Sequence, residues 1–245
     1  MSGHSKWSNI KRKKEKTDSQ RAKIFTKIGR EMAVCVKSSG SDPSTNGKLR
    51  DLIAKAKSLN VPNDNIQRII KKAEGGERED YESITYEGYG PSGVAMIVET
   101  LTDNRNRTAG NLRHYFDKFG GNLGNTGCVS FLFTEQGVMM LDVEGKNEET
   151  VMEDVFDAGA SDFDMSDDVA EVTTSPETFS AVREALEKKG YAFLSADVAM
   201  VPSTETELSD VDDIKNMGQL LDHLEDDDDV QDVWHNLANE EDLDR

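Results

Sequence analysis

The hydrophobic periodicity of the chain changes at Gly75-Gly76, and this change limits the folds open to it. Before these glycines, apolar residues recur every three to four positions, as on one face of an α-helix. After them, apolar residues alternate with polar ones or form short runs, as in β-strands, with helical segments between. The chain therefore predicts an all-helical N-terminal module followed by α+β structure.

Three helices are predicted before the glycines: one that runs to about Lys37, one from Lys48 to Leu59, and one that begins after Pro62 with Asn63 as its cap. Each has an apolar stripe on one side. The cationic residues lie on the outer sides, namely Lys23, Lys27, Arg30 and Lys37 on the first helix and Arg68, Lys71 and Lys72 on the third.

The rest of the chain predicts two α+β domains, one inserted in the other. Residues 77–135 hold two strand-like runs, a helix from Thr108 to Lys118 and a strand at CVSFLF. Residues 136–200 follow the order β-α-β-β-α-β, the ferredoxin-like motif. The tail predicts a helix (Val211 to Leu224) and a strand (Val230 to Leu237) that complete the first of these domains. We therefore expect three domains: residues 1–76, residues 77–135 plus 201–245, and the inserted residues 136–200.

Basic and acidic residues are also unevenly distributed on the two sides of Gly75-Gly76. Residues 1–76 contain 18 Lys and Arg against 7 Asp and Glu, whereas the remaining residues contain 11 against 41. The formal charges are +11 and −30, which together give the −19 of the whole chain. A basic module attached to an acidic body indicates a protein that meets a polyanion through one part of its surface.

The N-terminal arm interleaves a tryptophan with basic residues, which is typical of nucleic-acid binding: cations release counterions from phosphates, and an indole can stack on a base. A solvated tail is the alternative, but the cationic helix faces behind the arm favour binding. The predicted contacts are Lys6, Trp7, Lys11, Arg12, Lys13, Lys14, Lys16, Arg21, Lys23, Lys27, Arg30, Lys37, Arg68, Lys71 and Lys72.

Motifs that would indicate an enzyme or a cofactor are weak. GYGPSG (residues 88–93) fits G-x-G-x-x-G, but a strand follows it where dinucleotide binding needs a helix, so we predict a tight turn. Four consecutive aspartates, residues 226–229, could attract a metal ion, but a solvated turn between helix and strand is the favoured interpretation. The histidines show no ligand spacing. We expect no catalytic residues, no metal and no cofactor.

The expected cellular location rests on two features that the sequence lacks, a membrane span and a secretory signal. No run of about 18 apolar residues is present, so we expect no membrane span. The basic N-terminus lacks the apolar segment of a secretory signal. Cys35 and Cys128 lie far apart and are read as thiols in a reducing compartment, so the expected location is the cytoplasm.

Several segments resemble one known family. They are MSGHSKWSNIKRKKEKTDSQRAKIFTKIGREM, NVPNDNIQRIIKKAEG, YEGYGPSGVAMIVETLTDNRNRTAGNLRHYFDKFGGNLGNTGCVSFLF and DDVQDVWHNL. With them the chain resembles the YebC/PmpR family, which includes the mitochondrial translational activator of cytochrome oxidase. The resemblance implies a helical domain and two α+β domains, the third set within the second. It also implies a probable DNA-binding transcriptional regulator or, as in some members, a translation factor on the ribosome.

The segment DNRNRT, residues 103–108, also belongs to that resemblance. Arg105 and Arg107 form an isolated cationic pair in an acidic region. Two interpretations remain open: a structural loop tied by Asn and Asp side chains, or a secondary polyanion contact.

The leading hypothesis is a non-enzymatic nucleic-acid-binding regulator of gene expression, of the DNA-binding transcriptional type. The alternative within that class is a ribosome-associated factor that binds ribosomal RNA. A metal-dependent nuclease that uses the acidic clusters ranks lower. An adaptor whose acidic domains engage basic proteins is the third class.

Overall fold

The structure is a computed structural model of the chain, and it describes residues 18–75 and 81–244. Helices α1 (Asp18–Ser39), α2 (Gly47–Ser58) and α3 (Asn63–Glu74) come first. Their apolar stripes meet in a core of their own, whose members include Ile28, Met32, Leu49, Ile66 and Ile70. The helical module therefore has the enclosed apolar centre that an independent domain requires.

The ends of these helices explain one wrong prediction. Asn46 caps α2, because its side-chain oxygen accepts a hydrogen bond from the Leu49 N–H at 3.0 Å. Asn63 was expected to cap α3 but is instead its first residue. Pro62 occupies the cap position, and its carbonyl accepts the N–H of Ile66 at 3.2 Å.

The second part of the chain begins with a hairpin. Strands β1 (Glu82–Tyr89) and β2 (Ala95–Thr102) pair antiparallel along their whole length. A short 3₁₀ turn, Pro91–Gly93, joins them, so the glycine run is a tight turn as predicted. Helix α4 (Arg105–Lys118) and the short strand β3 (Asn122–Leu123) follow, and β3 pairs with β1.

The predicted strand at CVSFLF is wrong. Residues Ser130–Leu132 form a 3₁₀ turn, and the strand β4 (Phe133–Asp142) begins only after it. The buried Glu87 carboxylate on β1 accepts the backbone N–H groups of Gly127, Val129 and Ser130 at 2.7, 2.9 and 2.8 Å. Those N–H groups are therefore not available to a strand ladder.

The middle unit has the ferredoxin-like arrangement that its element order predicts. Its elements are β4, α5 (Glu148–Asp157), β5 (Asp162–Ser166), β6 (Val169–Thr174), α6 (Phe179–Lys188) and β7 (Ala192–Pro202). The sheet order is β5-β6-β4-β7, with antiparallel neighbours throughout. Phe133, the first residue of β4, pairs with Pro202, the last residue of β7. The unit therefore leaves and re-enters the rest of the chain at one place.

The tail returns to the first sheet. Helix α7 (Val211–Asp226) leads to β8 (Val230–His235), which pairs antiparallel with β2. The sheet order is β3-β1-β2-β8. Helices α4 and α7 pack on one of its faces around Met96, Phe116 and Leu220. The fold class is therefore confirmed: an α+β protein with a helical module and two antiparallel-sheet domains, the third inserted in the second.

The three domains meet around a cavity of about 350 Å³. Lys55 of α2 reaches across it to Asp197 of β7, with 2.9 Å between Nζ and Oδ1. Burial raises the pKa of Glu31, which also lines the cavity, to about 7, although the nearby Lys55 acts in the opposite direction. None of the helices within residues 18–75 and 81–244 is long and apolar enough to cross a membrane.

Candidate nucleic-acid interface

The predicted contacts fall into three groups. Those of the arm lie outside the described residues, namely Lys6, Trp7, Lys11, Arg12, Lys13, Lys14 and Lys16. Arg21 falls within α1. The other predicted contacts of the helical domain lie on α1 and α3, and the structure separates them into a covered set and an exposed set.

The covered set consists of Lys23, Lys27 and Arg30, here called the basic stripe of α1. The helical wheel predicts this stripe on the polar side of α1, but its side chains are only partly exposed, Lys23 at 38% and Arg30 at 19%. Lys27 Nζ donates to the carbonyl oxygen of Glu225 at 2.7 Å, and Arg30 Nη1 donates to that of Asp228 at 2.6 Å. Lys23 Nζ lies 2.8 Å from Asp226 Oδ1 and also donates to the Asp226 carbonyl.

These contacts place the basic stripe at the carboxyl end of α7. The last carbonyls of a helix lack partners within the helix and carry partial negative charge, so cations are stabilising there. The partner segment, residues 225–229, is here called the acidic turn. The stripe therefore contacts both the main-chain oxygens and the carboxylates of that turn.

The acidic turn is not the solvated turn that its composition predicts. The side chain of Asp229 is only 5% exposed. Arg107 contacts its Oδ2 through Nη2 at 2.6 Å, and the Thr108 hydroxyl donates to the same atom at 2.9 Å. Arg30 lies 3.2 Å from the other oxygen of Asp229. One buried carboxylate, that of Asp229, therefore connects Arg30 of the helical domain with Arg107 at the start of α4.

The aspartates of the turn alternate in role. Asp227 accepts hydrogen bonds from Asn111 and from the Tyr115 hydroxyl, both on α4, at 3.2 Å. Asp229 also binds residues at the start of α4. By contrast, the side chains of Asp226 and Asp228 are exposed; Asp226 pairs with Lys23 of α1, and Asp228 contacts α1 through its carbonyl oxygen. Two aspartates therefore anchor the turn, and two give it surface charge.

Burial and hydrogen bonding act in opposite directions on Asp229. Burial alone would raise its pKa, but the hydrogen bonds from Arg107, Thr108 and Thr102 hold the pKa below its usual value of 3.8. The carboxylate is consequently ionised at neutral pH and pairs with two guanidinium groups, those of Arg30 and Arg107.

The two arginines of DNRNRT, Arg105 and Arg107, have different surroundings. Arg107 binds Asp229 and Asp103, so its side chain is part of an internal network, as the structural interpretation of this loop expects. Asn104 caps α4 by accepting the Arg107 N–H at 3.1 Å. Arg105 lies 3.7 Å from Glu82, and both side chains are more than half exposed.

The exposed set lies on α3 and at the end of α1. Arg68, Lys71 and Lys72 are exposed, and their spacing puts them on one face of α3. Lys72 and the exposed Lys37 both line a groove between α1 and α3 with a volume of about 370 Å³. The structure therefore brings these predicted contacts together on one side of the helical domain.

The structural roles of two carboxylates, Glu87 and Asp229, were not predicted. Each holds a loop to a distant element through several hydrogen bonds, and each partner lies far away in the chain: Glu87 is 40 residues from Gly127, and Asp229 is 122 residues from Arg107. A carboxylate in a strand or in an aspartate run carries no local sign of such a partner.

The domain order and the charge layout define a class: a basic helical domain on an α+β body in which one antiparallel-sheet domain interrupts another. Comparison with known proteins is consistent with this class. Residues 5–76 match the family model described as the TACO1/YebC protein N-terminal domain, and residues 81–237 match the model of the TACO1/YebC second and third domain. The chain belongs to the TACO1/YebC family, which confirms the resemblance of its sequence.

Relatives at high identity carry one name. A protein of Acetivibrio thermocellus, named "Probable transcriptional regulatory protein", is 58% identical over 242 residues, which is 98% of this chain and 100% of that protein. A protein of Ruminiclostridium cellulolyticum with the same name is 59% identical over 228 residues, 92% of each chain. The crystal structure of a conserved hypothetical protein from Aquifex aeolicus is similar at a TM-score of 0.80 and 41% identity, over 91% of this chain and 92% of that one.

Proposed function

We propose that this protein is a regulator of gene expression that binds duplex DNA through its N-terminal helical domain. The observation that carries the proposal is the face formed by Arg68, Lys71 and Lys72, exposed beside a groove that Lys37 also lines. A cluster of cations with the spacing of one helix face suits a phosphate backbone. The relatives are named "Probable transcriptional regulatory protein", which supports a regulatory role, and we propose duplex DNA as the first target.

The proposal needs no catalytic chemistry. The helical domain supplies affinity through phosphate contacts, which position a protein without reading sequence. The α+β body carries a formal charge of −30 over residues 77–245 and repels phosphates, so it restricts the orientation in which the protein meets nucleic acid. Ribosomal RNA is the alternative target, and the experiment includes it.

The test is binding of fluorescently labelled duplex DNA, measured by anisotropy over a range of salt concentrations. Arg68→Ala with Lys71→Ala should lower the slope of log affinity against log salt by roughly 2, because each lost phosphate contact removes about 0.9. Arg113→Ala with Lys188→Ala is the matched control, since it also removes one exposed Arg and one exposed Lys, but from the α+β body. The control should leave the slope unchanged.

Ribosomal subunits and an RNA hairpin form the second arm of the experiment. Tighter binding to RNA than to DNA, with the same dependence on Arg68 and Lys71, would replace DNA with RNA as the target. Equal slopes for the α3 variant and its control would refute the assignment of this face.

A further inference from the structure

The contact between the basic stripe of α1 and the acidic turn suggests regulation of the proposed binding surface, and the inference rests on the proposed function. The stripe is one of the cationic helix faces that the sequence assigns to nucleic acid, yet the chain covers it with its own anionic segment. All three stripe cations donate to main-chain carbonyls of the turn, at 2.6 to 3.2 Å.

The acidic turn offers the stripe the chemistry that a phosphate backbone would offer. Five consecutive residues, 225–229, carry carboxylates, and the carbonyls at the end of α7 add partial negative charge. Closely spaced anionic oxygens therefore face a row of cations set one helical turn apart. A nucleic acid that reached the stripe would have to displace the turn.

The interface that would open contains several ion pairs, and it surrounds the cavity, whose lining also includes apolar residues such as Ile24 and Trp234. Ion pairs connect the helical domain to the α+β body, among them Lys23–Asp226, Arg30–Asp229, Arg50–Glu184, Asp51–Arg183 and Lys55–Asp197. The Lys23–Asp226 pair, in which Asp226 is 61% exposed, is weak and is screened by salt, whereas Arg30–Asp229 and Asp51–Arg183 are largely buried and cost more to separate.

Separation would also leave the helical domain folded. Its core draws its buried residues from α1, α2, α3 and the short connections between them. An interface with several ion pairs between units that each have their own core is typical of domains that move relative to one another.

We propose that the acidic turn is an autoinhibitory cover. It occupies the basic stripe in the free protein, and nucleic acid that binds the helical domain competes with it for Lys23, Lys27 and Arg30. The stripe is thus a second, masked part of the binding surface. Binding to the exposed face of α3 comes first, and full engagement requires the helical domain to move away from the turn.

The test removes charge from the turn without removing its anchors. Asp226→Asn with Asp228→Asn changes the two exposed aspartates and leaves Asp227 and Asp229 in place. We expect duplex DNA to bind this variant about 3- to 10-fold more tightly than it binds the wild type at roughly 0.1 M salt, because two competing charges are lost. Glu153→Gln with Asp164→Asn is the control: it makes the same change of net charge at exposed sites in the middle unit and should shift the affinity less than about 2-fold.

Two further measurements separate masking from a general charge effect. Lys23→Ala with Lys27→Ala, added to the turn variant, should cancel the gain, because the gain depends on the uncovered stripe. In the wild type, DNA should speed amide hydrogen exchange in residues 225–230, since the turn loses its partner.

The outcomes are distinct. An equal gain for the turn variant and its control, or slower exchange in the turn when DNA is bound, overturns the cover while leaving the proposed function intact. A wild type and a turn variant that both fail to bind DNA and RNA overturn the proposed function, and the cover with it. A turn variant that binds where the wild type does not supports both.

Discussion

Replacing Asp229 with Asn should weaken the domain formed by β1, β2, β3 and β8 more than any other single change in the acidic turn. The carboxylate receives Arg107, Thr108 and Thr102 on one oxygen and Arg30 on the other. Asn keeps the shape and one acceptor oxygen. It removes the charge, and its amide group turns a donor toward one of the guanidinium groups.

The magnitude follows from the exposure of the partners. A hydrogen bond to a charged group contributes roughly 1.5–3 kcal/mol, and breaking a buried ion pair costs roughly 3–5 kcal/mol. Arg107 is 46% exposed and can recover part of its hydration, whereas Arg30 is 19% exposed. We therefore expect a loss near the lower end, about 3 kcal/mol in the free energy of unfolding.

Hydrogen exchange of the β2 and β8 amides is the assay, because it reports the opening of this domain alone. A loss of about 3 kcal/mol corresponds to roughly a hundredfold faster exchange. Asp228→Asn is the matched control: its side chain is exposed, and Arg30 uses only its carbonyl, so exchange should change less than about threefold. Comparable effects of the two variants would refute the claim that the buried carboxylate carries the stability.

The same variant should alter acid sensitivity. A carboxyl with a lowered pKa stabilises the fold above its ordinary pKa, here 3.8, and loses that contribution as the pH falls through the lower folded value. The wild type should therefore lose stability below about pH 4 more steeply than Asp229→Asn does, because asparagine does not titrate.

Three more predictions concern stability. The raised pKa of Glu31 means that ionisation disfavours the fold, so wild-type stability should fall as the pH rises from 4.5 to about 7, and Glu31→Gln should remove that fall in urea unfolding. Gly88→Ala should lower the free energy of unfolding by roughly 2–3 kcal/mol, because the new Cβ would lie 2.6 Å from the Asn122 carbonyl oxygen. Gly110→Ala is the contrast: Gly110 has open space around it on α4, so alanine should stabilise the helix slightly in the same urea unfolding measurement. Glu87→Gln should cost roughly 2 kcal/mol by weakening three charge-assisted backbone hydrogen bonds, measured as a lower urea midpoint with an unchanged slope.

Local patterns were sufficient where the structure is local. The middle unit uses six consecutive elements, and the right-handedness of β-α-β crossovers leaves few strand orders, of which the observed one is the ferredoxin-like order. The helices of the N-terminal module could also be predicted from the sequence, because the apolar stripe of Ile66, Ile70 and Ala73 has the spacing of one helix face and not of a strand.

Patterns failed where a distant side chain decides the backbone. The residues around Phe131 have the aromatic and β-branched composition of a strand, but Glu87, more than 40 residues earlier, captures their N–H groups. For the candidate interface, the helical wheel identifies the polar side of α1 but not what covers it. The cover comes from the far end of the chain, 198 residues from Lys27.

The placement of β8 also bears on how the protein emerges during synthesis. Thr100 of β2 pairs with Val230, so this edge of β2 has no partner until β8, 130 residues further along the chain, has been made. The middle unit, whose elements from β4 to β7 are consecutive in the chain, can fold while that edge is still unpaired. A nascent chain halted before Val230 would hold a finished helical domain and a finished insert beside an open sheet edge, and such edges attract other chains. Synthesis of β8 thus determines when this sheet edge is protected from pairing with other chains.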